Sequence, residues 1–222
     1  MRKYIIIGVQ GCGKGTQAHL LSESLDLVHI SVGDIFRWHM ENHTKLAARV
    51  RRTVAAGELV GDEVVEDIVR YRLDLHDWNY GFVLDGFPRN ESQARFFLEC
   101  YDINAVINIQ VPDDVVRERV LARRLCSDCG LDYNLIYHRP EVRGTCDVCG
   151  GSLVSRPDDT EEALAKRLED YHSKTEPVLK LFRKKELVVD IDGTPTPAEV
   201  QQSIRSALRL PAYTPSESVV GA

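Results

Sequence analysis

The stretch Lys3-Tyr4-Ile5-Ile6-Ile7-Gly8-Val9-Gln10-Gly11-Cys12-Gly13-Lys14-Gly15-Thr16 decides how this chain is read. The apolar run Tyr4–Ile7 predicts a buried strand, and a helical pattern runs from Lys14 to Leu25. The glycines between them let the backbone curl so that successive N–H groups point inward, and the helix N-terminus adds positive potential. Strand, Gly-rich turn and helix start, in that order, make a cradle for phosphate. At this spacing Lys14 reaches the β- and γ-phosphates of a nucleotide. A Gly-rich surface turn is the plainer reading, but the preceding strand and the position of the lysine favour the cradle. Gly15, not Ser or Thr, follows the lysine and Thr16 comes one place later, which marks a particular subtype of nucleoside triphosphate site.

Around this motif the chain of 222 residues has 43% hydrophobic and 28% charged residues, ordinary proportions for a globular protein. Its length suits one large domain, or one core with insertions. With 28 basic and 34 acidic residues the net charge is −6, which gives no support to a nucleic-acid partner. No apolar run approaches the roughly 20 residues that a membrane helix needs. The first strand begins almost at once, so no signal peptide is expected, and the chain reads as cytoplasmic, with no membrane partner.

Strand and helix patterns alternate. Strands are predicted at 3–8, 27–30, 81–85, 105–111 and 187–191. Helices are predicted at 34–41, 45–56, 62–75, 91–101, 113–124, 160–185 and 197–208, with Asp159 and Glu162 as a capping box for the helix at 160. This order predicts an α/β fold, a parallel sheet flanked by helices. Residues 126–156 change character: rich in Gly, Asp, Asn and Cys, they read as a small β-type insertion. The polar tail from 211 to 222 reads as disordered.

Two further clusters carry chemistry. Asp85 ends the strand before Gly86-Phe87-Pro88-Arg89, the place where open α/β sheets bind ligands, and can hold water on Mg²⁺ there; an acid that merely caps the turn is the plainer alternative. Arg89 lies in the Pro-containing turn, suited to bidentate phosphate contact. Arg119 and Arg123, read as one helical turn apart, share a face. The pairs Cys126-x2-Cys129 and Cys146-x2-Cys149, sixteen residues apart, have the spacing of a closed four-thiolate site that holds a structural ion, Zn²⁺ or Fe²⁺. Two disulfides are the alternative, and a reducing compartment disfavours them.

These residues resemble adenylate kinase. The matching pieces are 8–17, Ser31-Val32-Gly33-Asp34 with Arg37, Gly57-Glu58-Leu59-Val60, Asp85–Arg89 with Gln93, Arg119-x3-Arg123-Arg124, Arg156-Pro157-Asp158-Asp159 and Lys166-Arg167-Leu168. They follow the family's order to about residue 209, and the lid cysteines point to the bacterial long-lid type with a metal-binding lid. The resemblance implies the nucleoside monophosphate kinase fold, with a core domain at 1–30, 61–124 and 157–210, an NMP-binding domain at 31–60 and a lid at 125–156. It implies an ATP site of Gly11, Cys12, Gly13, Lys14, Gly15, Thr16, Arg119, Arg123, Asp132 and Tyr133. It implies an AMP site of Ser31, Val32, Arg37, Leu59, Val60, Gly86, Phe87, Pro88, Arg89 and Gln93, joined by Arg156 and Arg167. Lys14, Arg89, Arg123, Arg156 and Arg167 would be the catalytic set, acting with Mg²⁺ in a monomer that interconverts ATP, AMP and ADP.

Two residues depart from the family. Val32 stands where a Thr is usual, removing a hydroxyl near the AMP base. Gln10 stands where Pro is usual, which is expected to alter loop stiffness more than chemistry. Gln93 offers both a donor and an acceptor to adenine and so favours AMP over UMP or CMP. A GTP:AMP phosphotransferase, a UMP/CMP kinase and a nucleotide-binding module without turnover remain the alternatives.

Overall fold

The computed structural model describes residues 2–76, 80–156 and 158–213. Strand β1 (Lys3–Ile7) passes through the Gly-rich turn into α1 (Lys14–Leu25). Then come β2 (Val28–Ser31), α2 (Val32–Glu41), α3 (Lys45–Ala55), α4 (Asp62–Asp74), β3 (Phe82–Asp85), α5 (Glu91–Cys100), β4 (Ala105–Gln110) and α6 (Asp113–Leu121). Three short strands follow, β5 (Arg123–Cys126), β6 (Asp132–Asn134) and β7 (Leu153–Val154). Helices α7 (Glu161–Asp170) and α8 (Glu176–Arg183), strand β8 (Val188–Asp192) and helix α9 (Pro197–Ala207) complete the described chain.

The main sheet is parallel with strand order β2-β3-β1-β4-β8, and the second sheet is antiparallel with order β6-β5-β7. This is the α/β class expected from the sequence, with the small β insertion in place. β1 is central, and the chain leaves it toward β2 on one side and later fills β4 and β8 on the other. The carboxyl end of β1 is therefore the switch point of the sheet, where its ligand crevice opens.

Both faces of the sheet are covered, which explains the unbroken apolar runs. Ile5, Ile7, Leu84 and Val106 pack on one face with Phe36, Val69, Phe97 and Phe182. Tyr4, Ile6, Val83 and Ile107 pack on the other with Ala18, Leu21, Val116, Leu164 and Ile204. The alternation follows from the two-residue period of a strand. Helix starts are capped locally: Ser31, Thr44, Asn90 and Thr160 each accept the backbone N–H three residues on, and Thr196 forms a capping box with Glu199.

Four details differ from the sequence-based expectations. Helix α6 ends at Leu121, and Arg123 and Arg124 join β5, paired with Asn134 and Tyr133. Arg119 and Arg123 therefore share no helix face; cross-strand pairing outweighs local helix propensity there. The cap of α7 is Thr160, not Asp159, whose carboxylate is taken by Arg123. The helix predicted over 160–185 is divided by a π-helical turn at Tyr171–Thr175. Pro177 has no N–H for the carbonyl four residues back, and the Glu176 N–H bonds to the Tyr171 carbonyl instead. Finally, the first residues of the predicted disordered tail are tied down. Arg205 donates to the Pro211 carbonyl at 2.8 Å and lies over the Tyr213 ring, while the Tyr213 N–H donates to Gln202 at 2.9 Å. Residues 214–222 of that tail, and Pro157 of the Arg156–Asp159 motif, lie outside the described residues.

Phe97 joins the layers on the first face: it is fully buried and meets Phe82, Phe87 and Tyr101 at ring-centroid distances of 6.4, 5.9 and 5.0 Å. Phe97→Ala is expected to cost about 3–5 kcal/mol of stability, by lost burial plus the cavity left behind. Denaturant unfolding followed by circular dichroism measures it, and a loss below about 1 kcal/mol would show that the core collapses around the gap.

Candidate functional site

The cradle is built as the glycines allow. Gly8 lets the chain leave β1 between Cys12 and β4: a Cβ there would lie 2.6 Å from both the Cys12 Sγ and the Ile109 carbonyl. Gly13 caps α1 at φ 101° without any side-chain bond, and the first intrahelical bond runs from the Gln17 N–H to the Gly13 carbonyl. The N–H groups of Lys14, Gly15 and Thr16 thus open the helix end, with Gly15 and Thr16 exposed. Lys14 folds back over the turn, its Nζ donating to the carbonyls of Gly8 at 2.8 Å and Val9 at 2.9 Å. Cys12, by contrast, turns inward: its side chain is buried and its N–H is spent on the Val9 carbonyl. Gly11 packs against α6, where a Cβ would meet Val120.

Asp85 ends β3 in register with Ile6 of β1 and Ser31 of β2. Its Oδ2 lies 3.8 Å from where a Cβ on Gly15 would stand, so the strand-end acid and the cradle share one space. Its hard oxygen donors suit Mg²⁺.

Five guanidinium groups crowd the same end of the sheet. Arg123 makes a two-point pair with Asp159, through Nε at 2.9 Å and through Nη2. Arg156 pairs with both oxygens of Asp132 at 2.9 and 3.1 Å. Arg167 donates to Asp158 Oδ2 at 2.6 Å and to Gln10 Oε1 at 2.7 Å. Arg37 pairs with Asp34. Arg89, half-buried, donates its Nε to the Gly86 carbonyl at 2.8 Å. Burial lowers the pKa of Arg89, with Arg167 and Arg37 adding to the effect, and burial with Arg123 and Arg37 does the same for Arg156. Burial also pushes the Asp158 carboxyl up, but Arg167 and Arg37 outweigh it and hold it below its ordinary value. So many cations within mutual reach form a site for a polyanion. Arg119 stands apart from this cluster, on the carbonyls of Gly193 and Thr194 at 2.8 and 3.1 Å and over the ring of Tyr137.

On the other flank, Gly86 at φ 80° faces Gly33, and the guanidinium groups of Arg89 and Arg37 lie against Gly86 and Gly33 in turn. Gln93 is buried, accepting the Arg89 N–H at 2.8 Å and donating to Asp62 at 2.8 Å; a second N–H and a second lone pair of its amide remain. Val32 and Phe87 pack into the apolar core, while Leu59 and Val60 are half-buried beside it. The Val32 side chain thus serves α2 rather than the crevice. Gly57 brings this segment onto α7, where a Cβ would lie 2.6 Å from the Ala163 carbonyl.

In the small sheet, Cys126, Cys129, Cys146 and Cys149 bring their sulfurs within 4.8 Å of one another. The Cys126–Cys149 and Cys129–Cys146 separations are 3.3 and 3.6 Å, far beyond a bonded disulfide and near the roughly 3.8 Å edge of a tetrahedron with metal–sulfur bonds of about 2.3 Å. Each Cys-x2-Cys turn closes on a glycine at φ 76°, Gly130 and Gly150, whose N–H returns to the first cysteine's carbonyl. The donor set therefore fits a metal ion. Tyr133, which the resemblance puts at ATP, has its side chain buried inside this sheet: its hydroxyl donates to Cys146 and accepts the Asp147 N–H, and its ring stacks on His138. That hydroxyl bond and nearby backbone N–H groups pull the Cys146 thiol down to about 6, toward the thiolate a metal needs. Asp132, the other expected ATP contact, points to Arg156.

Sequence reasoning passed over the carboxylates that hold the arginines, Asp34, Asp132 as a partner of Arg156, Asp158 and Asp159, and also the side chain of Gln10. Asp158 and Asp159 stood inside a quoted motif; their role as clamps needed the folded distances.

A model of the adenylate kinase family matches residues 6–187. The chain is 41% identical to an adenylate kinase of Caldicellulosiruptor bescii over 94% of this chain and 99% of that one. It is 44% identical to one of Syntrophotalea carbinolica (93% and 98%) and 43% identical to one of Symbiobacterium thermophilum (92% and 97%).

Elemental analysis of the purified protein is expected to find about one metal ion per chain, as one closed four-thiolate site requires. Stripping it with a chelator should lower the melting temperature and raise hydrogen exchange in residues 123–156 ahead of the parallel sheet. Unchanged melting and exchange after complete removal would show that the ion supplies no folding energy.

Proposed function

The chain belongs to the adenylate kinase family and is a nucleoside monophosphate kinase; from that premise we propose how its own residues carry the reaction ATP + AMP = 2 ADP. The observation that supports this assignment best is the convergence of Lys14, Asp85 and five arginines on the carboxyl end of one parallel sheet.

ATP lies on the α1 end, its β- and γ-phosphates against the N–H groups from Gly13 to Thr16. Lys14 swings from its loop carbonyls onto them, and Arg119 and Arg123 approach from the lid side. Asp85 would hold Mg²⁺ through water, and the ion would supply positive charge at the phosphates. AMP lies in the crevice between α2 and the Gly86–Arg89 turn, with Arg37 and Arg89 on its phosphate. Gln93 reads its base through the free N–H and lone pair, which favours adenine. Arg156 and Arg167 face the moving group from both sides. The attacking AMP oxygen is already ionised, so the protein's work is positioning and charge stabilisation. We assign residues 31–60 to an NMP-binding domain and 125–156 to a lid whose closure excludes water and so protects ATP from hydrolysis. Within this scheme Tyr133 belongs to the lid interior, and Cys12 contributes backbone only.

We read the lid ion as structural Zn²⁺, since four thiolates close the coordination sphere and leave no place for substrate; Fe²⁺ suits the same sulfurs. Free thiols at this site favour a reducing, cytoplasmic setting. Among the described residues no helix is long and apolar enough to cross a membrane. In this reading the chain acts as a monomer.

Lys14→Met should fold normally and lose on the order of 100–1,000-fold in kcat, the cost of one preorganised charge on the transition state. A coupled assay of ADP formation from ATP and AMP measures it. A near-normal kcat in this variant would remove Lys14 from the phosphates.

A further inference from the structure

Among the described residues of the Gly-rich turn, Gln10 is the one whose side chain hydrogen-bonds to distant parts of the chain. Its Oε1 accepts from Arg167 Nη1 at 2.7 Å, and its Nε2 donates to Asp159 Oδ1 at 3.2 Å. These partners stand 157 and 149 residues away along the chain. Asp159 in turn holds Arg123 at both Nε and Nη2, with its carboxylate almost wholly enclosed. Arg167 is also held by Asp158, whose backbone carbonyl accepts from the same Nη1 and whose carboxylate accepts from Nη2. The amide of one phosphate-loop residue thus sits between a cation and an anion and matches each with the correct end. Neither a hydrocarbon nor a carboxylate of the same size can do both.

We propose that Gln10 is a positioning residue for phosphoryl transfer: its amide ties the phosphate loop to Arg167 and, through Asp159, to Arg123. This rests on the kinase reading above. Two guanidinium groups that serve one transfer, Arg123 on the donor phosphates and Arg167 on the moving group, must keep their separation and orientation relative to the loop that holds the donor phosphates. Each sits on a different element, Arg123 on β5 and Arg167 on α7, and each has several rotatable bonds. Fixing both to one side chain of the loop makes their positions depend on the loop's own position. An orientation error of about an ångström at such groups is felt in the chemical step far more than in ground-state binding. The effect of Gln10 on this loop is therefore on chemistry, through two arginines, and not merely on loop stiffness.

The test uses the full chain and ADP formation, with separate kcat and KM for ATP and AMP. Gln10→Met keeps the side-chain length and removes both polar contacts. It is expected to lower kcat on the order of 10-fold, with each KM within about twofold of the unaltered chain and melting nearly unchanged. In an Arg167→Lys background the same change should cost less than about twofold, because the group it positions is already altered. A kcat within twofold of the unaltered chain, a loss confined to KM, or an undiminished 10-fold cost in the Arg167→Lys background would each overturn the proposal. Should Gln10→Met fail to fold, Gln10→Glu keeps the acceptor for Arg167 but turns a second carboxylate on Asp159. Its kcat should also fall, and a value within twofold of the unaltered chain overturns the proposal equally. An unaltered chain that forms no ADP would instead sink the kinase reading itself, and this inference with it.

Discussion

Five guanidinium groups at one end of one sheet repel one another, and much of this structure is arranged to hold them there. Each repulsion is offset locally: Asp34 for Arg37, Asp132 for Arg156, Asp158 for Arg167, Asp159 for Arg123. Arg89 has no carboxylate clamp of this kind and leans on the Gly86 carbonyl, with Asp85 nearby in its field. The balance is incomplete by design of the chemistry, because a cluster fully neutralised by its own carboxylates would have nothing left for phosphate. The remaining charge is what a triphosphate and a monophosphate bring together.

The fold supplies the rigid part of this arrangement. Parallel strands buried on both faces set the ends of β1 and β3, and hence Gly15 of the cradle and Asp85, side by side. The small antiparallel sheet is built differently. The small sheet at 123–154 has only Cys126, Tyr133 and Cys146 fully buried in its apolar cluster, too little to order thirty residues by burial. Four converging sulfurs replace that missing core, and Tyr133, shielded from water, ties the sulfur cage to the sheet.

The boundary between those two parts is where local rules failed. Arg123 was assigned to a helix and lies on a strand; Asp159 was assigned to a cap and clamps that arginine. Both residues sit where the chain enters or leaves the lid. At such a junction a contact between distant segments competes with helix propensity and capping, each worth about 1 kcal/mol or less. A buried, two-point charge pair outweighs them.

Much of this protein was nonetheless legible in the sequence. The strand, Gly-rich turn and lysine announced the phosphate cradle, because backbone curvature and a cation at fixed spacing are local properties. The alternation of apolar runs and helical stretches announced a parallel sheet, because both faces of each strand must be covered. The paired Cys-x2-Cys turns announced a four-sulfur cluster, because each turn presents its two sulfurs by local geometry alone. What only the tertiary structure decided were the partners: which carboxylate holds which arginine, that Tyr133 faces a sulfur and not a nucleotide, that Val32 faces the core, and that Gln10 spans Arg167 and Asp159. Those choices depend on distances between residues as many as 157 positions apart, and a chain acquires such distances only when it folds.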